Sequence, residues 1–171
     1  MKLQDFLRTQ PGSSRAVDMV SGVANYVDAV IPYINPRIVK DVTIAMSALS
    51  EFVQNPCRKN QRVLVDTRLC ACANEILEKE GHDESLERVQ EVAQEELATT
   101  KHLNERKRAK KEREEYQRQI NDLKSATATT LLSLLECVDH PYIPERMLAS
   151  LDSNRLIDNM NGLLKVPRMR D

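Results

Sequence analysis

The sequence predicts an all-α protein, and three observations carry that prediction. Its 171 residues include only four glycines and seven prolines, so long stretches run without a backbone breaker. Aromatic residues are 4% of the chain and tryptophan is absent, while Leu, Ala, Glu, Lys and Arg, the helix formers, are plentiful. Apolar residues recur at spacings of three and four in one segment after another. A chain of this length buries roughly 70% of its unfolded surface, enough for one packed domain spanning residues 1–171.

Taken in order, Met1 to Gln10 reads as a short helix with Leu3, Phe6 and Leu7 on one face. Pro11-Gly12-Ser13-Ser14 breaks it, and either serine can cap the next helix. That helix runs from Ala16 to about Ile31 on a stripe of Val17, Val20, Val23, Ala24, Val27, Val30 and Ile31. Pro32 to Asn35 is a loop. Asn35-Pro36 reads as a cap followed by a first-turn proline. The helix from Pro36 to Gln54 presents Ile38, Val42, Ala45, Met46, Leu49, Phe52 and Val53 on one face. Pro56 ends it, because the residue before a proline is pushed out of the α region.

Asn60 then reads as the cap of a helix from Gln61 to Leu77, kinked near Asp66-Thr67, with Gly81 as its C′ residue. Between Asp83 and Asp139 there is neither Gly nor Pro. Leu86, Val89, Val92, Ala93 and Leu97 form a modest stripe, followed by the charged run from Asn104 to Glu115. Tyr116, Ile120, Leu123, Thr127, Leu131, Leu134 and Leu135 then return to core spacing, which predicts one long helix or two separated by a charged middle. The four-residue spacings of Arg108 with Glu112, Lys110 with Glu114 and Lys111 with Glu115 add ~0.2–0.5 kcal/mol each. Packing does not hold this segment, so a charged helical insert free to move is expected at about residues 98–119. His140 to Pro144 is a stiff turn, with a helix starting at Pro144 that holds Met147, Leu148 and Leu151 inside. Asp152 or Ser153 restarts a last helix that Pro167 ends. About six short helices with tight corners, one of them long and charged, suggest a piece of an armadillo-like solenoid.

Several functions are disfavoured. Twenty-five basic against 26 acidic residues give a net charge of −1, which argues against a generally basic nucleic-acid binder. The basic run Arg106 to Lys111 is followed at once by acidic residues, so it reads as a solvated helix face before it reads as a nucleic-acid patch. No apolar run reaches the roughly 18–20 residues of a membrane span, and no signal peptide precedes Gln10. Cys70 and Cys72 form C-x-C, not the zinc-site C-x-x-C, so with Cys57 and Cys137 they are expected to be reduced thiols. His82, His102 and His140 form no ligand pair, no Gly-rich phosphate loop is present and no acid–base or nucleophile arrangement stands out. An enzyme is not expected.

Three segments carry a family resemblance. Glu51-Phe52-Val53-Gln54-Asn55-Pro56-Cys57 followed by Asn60-Gln61 resembles a pattern of Glu-aromatic-x-Gln-Gly-Pro-Cys and then Asn-Gln, with Asn55 in the glycine position. Asn tolerates the left-handed backbone of such a corner better than other side chains do. Leu3-Gln4-Asp5-Phe6-Leu7-Arg8-Thr9-Gln10 is similar to Leu-Gln-Asn-Phe-Leu-Arg-x-Gln. Thr130-Leu131-Leu132-Ser133-Leu134-Leu135-Glu136, with Glu145-Arg146-Met147 downstream, is similar to the far end of the same pattern. Together these resemble the RIH-associated domain of the inositol trisphosphate receptor and ryanodine receptor family of intracellular calcium-release channels. The segment from about Glu80 to Gln119 departs from the pattern.

The resemblance implies a helical solenoid that joins ligand-sensing regions to a channel. It implies a cytoplasmic location, at the cytosolic face of the endoplasmic reticulum or another calcium-store membrane, with other domains or subunits of a homotetrameric channel as partners. It also implies that Glu51 and Gln54 contribute to an activating calcium site, their carboxylate and amide carbonyl being the hard oxygens calcium prefers. In the family, further ligands come from upstream of the Leu3 segment and from a carboxy-terminal domain. The expected function is therefore a relay of ligand or calcium signals towards a pore that is not in this sequence. The alternative is a stand-alone helical scaffold that binds a protein partner through the charged helix near Lys107 to Glu115.

Overall fold

A computed structural model describes residues 3–54, 57–79, 100–136, 141–154 and 156–157, and every regular element among them is helical. In chain order these are α1 (Leu3–Thr9), α2 (Met19–Val30), a 3-10 turn at Ile31–Tyr33, α3 (Val39–Val53), α4 (Arg58–Asp66), α5 (Leu69–Glu78), α6 (Thr100–Leu134) and α7 (Tyr142–Ser150). The protein is all-α, with seven α-helices among the described residues where about six were expected.

The helix starts are set by side chains nearer each element than the sequence suggested. Asp18, not Ser13 or Ser14, caps α2: it accepts from Ser21 N at 3.0 Å and from Ser21 Oγ at 2.7 Å. The helix therefore begins at Met19 and leaves Val17 exposed, while Val20, Ala24, Val27 and Ile31 are buried as expected. Gln10 ends α1 at φ 36°, and its side-chain amide bonds both the N–H and the C=O of Val17, at 3.2 and 2.9 Å. That clamp closes the 11–16 loop, in which Gly12 holds φ 88°, a left-handed value that favours glycine. Asn35 does not cap α3, whose cap position is Ile38 with no side-chain bond; it accepts from Arg37 N at 2.8 Å in a turn ahead of the helix, and its carbonyl accepts from Val39 N. The turn it makes delays regular helix to Val39 rather than Pro36.

The expected face of α3 is inside: Val42, Ala45, Met46, Leu49 and Val53 are buried, and Phe52 packs on them. The chain does break at Asp66-Thr67. Thr67 Oγ1 accepts from Leu69 N at 3.2 Å and so caps α5 while ending α4. The long helix α6 is continuous over 35 residues, about 52 Å at 1.5 Å per residue. Thr130 meets Met46, and Glu115 lies within the field of Lys40, so α6 runs in the same direction as α3. Tyr116, Ile120, Leu123, Thr127, Leu131 and Leu134 are buried, whereas Leu135 follows the helix end and is exposed.

From Arg106 to Glu115, α6 buries nothing fully. The Arg108–Glu112 pair forms at 2.8 Å and Lys110–Glu114 at 3.8 Å. The expected Lys111–Glu115 pair is replaced: Glu115 binds Arg118 at 2.6 Å and Gln119 at 2.8 Å, and these bonds hold its carboxyl below the usual range. Helix α7 starts at Tyr142, two residues before Pro144, and turns Ile143 and Met147 inward. Leu148, one residue on, rotates about 100° away from that face and is exposed, against expectation. Asp152 then accepts from Asn154 N at 3.1 Å, the expected restart. The Asn55-Pro56 corner, Gly81, the 86–97 stripe, Cys137, His140, Pro167 and the last helix beyond Ile157 lie outside the described residues.

Candidate functional site: a polar joint between three segments

One core joins α2 to α7, but α1 buries no residue in it. Polar bonds attach α1 instead, and two of them converge on one side chain. Asn60 sits in the first turn of α4 with no exposed surface. Its Nδ2 donates to Phe52 O at 2.9 Å and to Gln4 O at 3.0 Å, and its Oδ1 accepts from Arg8 Nε at 3.0 Å. It is not the helix cap the sequence suggested. Helix α4 begins at Arg58 with Cys57 in the cap position, and Asn60 turns inward because three tertiary partners outcompete the local one. Arg8 also pairs with Asp5 at 3.4 Å, the Cys57 thiol lies 3.8 Å from the same Asp5 oxygen, and Gln4 Nε2 reaches Gln54 O at 3.5 Å.

The neighbouring side chain serves the other end of the fold. A step of one residue turns a side chain about 100° around the helix. Gln61, equally buried, thus faces α6, donating from Nε2 to Ser133 O at 3.0 Å and Glu136 O at 3.1 Å. The last carbonyls of a helix have no intrahelical donor, so Gln61 terminates α6 from outside. Thr130 adds a bond from its hydroxyl to Met46 O at 2.9 Å, sharing the proton with Ala126 O. The three segments singled out in the sequence therefore meet in one joint, with the adjacent pair Asn60-Gln61 at its centre. Sequence reading missed these partners. The available signal was two polar residues set together in a segment that periodicity makes a packed helix.

Glu51 lies exposed on the last turn of α3, and Gln54 is half-buried just after it, its N–H bonded to Ser50 O at 3.0 Å. Both stand at the corner that Asn60 grips through Phe52 O and Gln4 through Gln54 O. Among the described residues no group of three or more His, Cys, Asp or Glu side chains could hold a metal ion. Calcium takes six to eight oxygens. Glu51 and Gln54 together carry three side-chain oxygens, fewer than that number.

Two further features frame the joint. Asp66, at the end of α4, accepts from Tyr142 OH at 2.6 Å and pairs with Arg146 at 3.5 Å, while the Arg62 guanidinium lies 5.0 Å over the Tyr142 ring. The Asp66 bond pushes the Tyr142 phenol above its ordinary range. Cys57, Cys70 and Cys72 are free buried thiols, as expected. Burial pushes Cys70 up to about 11 and Cys72 to about 12, the latter also through its bond to Asp28. Neither Cys70 nor Cys72 is poised as a nucleophile. No helix among the described residues is long and apolar enough to cross a membrane.

Comparison with known proteins bears on the first half of the chain. The model of the family described as "RyR and IP3R Homology associated" matches residues 1–77. That stretch contains α1 to α5 up to Leu77, and so both Asn60 and Gln61 with everything Asn60 holds. The 130–136 segment lies beyond the match and is tied to it by Gln61. No curated protein and no solved structure matches the chain.

Proposed function

We propose that this protein, whose residues 1–77 match the model of the family described as "RyR and IP3R Homology associated", is a cytosolic helical module of an intracellular calcium-release-channel-like assembly. It passes movement between ligand-sensing parts and a pore contributed by other sequence. The observation that carries this reading is the joint itself. Asn60 and Gln61, both buried, connect α1, the α3 corner and the end of α6 through bonds that span 8 to 75 residues of sequence. Densely packed elements with such cross-links shift as units and do not absorb displacement.

In this reading Glu51 and Gln54 supply two oxygens of a calcium site completed by neighbouring domains or subunits. Calcium pulling on Gln54 moves the backbone that Gln4 and Asn60 hold, and so moves α1. The test is a calorimetric calcium titration of the chain, with Glu51→Ala and Gln54→Ala alongside. Amide hydrogen exchange of α1 and of the last turn of α6 is followed in the same samples. From the chain alone, which holds only part of the site, weak binding at a Kd of about 1 mM is expected, lost in Glu51→Ala, with slower exchange at both ends of the joint. Binding indifferent to Glu51 would remove the ligand assignment. Calcium binding without altered exchange in α1 or α6 would remove the relay.

A further inference from the structure

The relay reading leaves the amino-terminal third of α6 without a role, and its charges are unevenly placed. With Tyr116, Ile120 and Leu123 defining the packed side, Lys107, Lys110, Lys111 and Arg118 fall within about 70° of the opposite direction at 100° per residue. All four are exposed. Arg118 is paired with Glu115 and Lys110 lies at the long distance of 3.8 Å from Glu114. Lys107 and Lys111 have no ion-pair partner among the described residues. On a chain of net charge −1 this stripe is a local feature, not a general basic character.

We propose that the outward face of α6 from Lys107 to Arg118 is a docking surface for an acidic segment of a protein partner. Lys107 and Lys111 lie one turn apart, about 6 Å, which matches carboxylates three or four residues apart on a partner helix. The same face argues against a continuous polyanion. Glu114 stands within the stripe and Glu115 flanks it, so the phosphates of a duplex or an anionic bilayer would meet carboxylates. Discrete carboxylates can engage Lys107, Lys110 and Lys111 and leave Glu114 uncovered. Exposed pairs are individually weak and screened by salt, so the interaction is modest in affinity and ionic-strength dependent.

The test uses the whole chain and a fluorescent, helical glutamate-rich peptide, read by anisotropy at roughly 20 mM and 150 mM salt. Expected are binding that weakens as salt rises and an affinity about tenfold lower for Lys107→Glu/Lys111→Glu. Lys107→Gln/Lys111→Gln should show a smaller loss, and Arg15→Glu, an exposed charge on the 11–16 loop, none. Circular dichroism confirms that each variant keeps its helix. Absence of peptide binding at low salt, or equal binding by the double variant, overturns the proposal. So does tighter binding of duplex DNA or phosphatidylserine vesicles that depends on the same two lysines. The calcium titration is unaffected by any of these results, so the two readings fail separately.

Discussion

At the scale of single residues, Asn60 carries more of the fold than its polarity suggests. Replacing it by Ala removes three hydrogen bonds and leaves Gln4 O, Phe52 O and Arg8 Nε without their buried partner. A net ~1 kcal/mol per bond, plus the desolvation of groups left unpaired, gives an expected loss of about 2–4 kcal/mol for Asn60→Ala in urea unfolding. A loss below about 1 kcal/mol would show that α1 is held by something else. The residue was visible in the sequence but its role was not. A local rule, Asn ahead of a helix, offered a cap, whereas two of its three partners lie 52 and 56 residues away. Glu51 and Gln54 fall at the end of α3, where helix period put them, but ligation is not a property of spacing. The thiols give a second prediction at this scale. Folding raises Cys70 and Cys72 from an ordinary value near 9 to about 11 and about 12. The folded state therefore keeps protons that the unfolded state releases. The stability linked to these thiols is complete below pH 9 and is lost as pH rises towards 11–12. Urea midpoints should fall between pH 9 and pH 11, by less in Cys72→Ala than in the parent, and both thiols should resist a disulfide reagent at pH 8 until the protein unfolds.

At the scale of elements, Asp66 decides how α7 sits. It ends α4, receives the Tyr142 hydroxyl and pairs with Arg146, so one carboxylate anchors the first two turns of α7. In Asp66→Ala the Tyr142 phenol should titrate at lower pH, because its largest upward influence, the bond to Asp66, is gone. Ultraviolet titration reads that shift directly. Amide exchange in α7 should quicken in the same variant while α2 and α3 keep their protection. An unchanged Tyr142 titration would mean that the bond does not persist in solution. The break between α4 and α5 was legible because Thr67 can cap its own successor. The starts of α2 and α7 were not, since Asp18 and Pro141 compete with Ser13, Ser14 and Pro144 and only packing chooses. Leu148 was assigned inward for the same reason. A short helix with Ile143, Met147 and Leu148 admits two apolar faces, and docking on α4 selected the first.

At the scale of the whole molecule, the same long helix is part core and part arm. The continuous apolar spacing from Tyr116 onward made the packed part legible, because burial and period coincide there. The charged part gave no periodic signal, and its helicity over residues 106–115 comes from propagation of the packed half and from pairs such as Arg108–Glu112. That division has a mechanical consequence. If the arm shares no stabilising contacts with the body, breaking it should leave the body's melting almost untouched. Lys110→Pro removes an intrahelical bond and clashes with the preceding turn, at a cost to the helix of ~3 kcal/mol. The chain can avoid that cost by unwinding the arm alone. We expect Lys110→Pro to lose a fraction of the helical circular dichroism and to shift the melting midpoint by no more than about 2 °C. Leu123→Ala, at a site with no exposed surface on the same helix, should cost ~2–5 kcal/mol and lower the midpoint by roughly 5–15 °C. Comparable losses from both substitutions would mean that the arm and the core unfold as one unit. In that case force on the charged face would pass straight down α6 to the carbonyls that Gln61 holds, and the docking surface and the joint would belong to a single device.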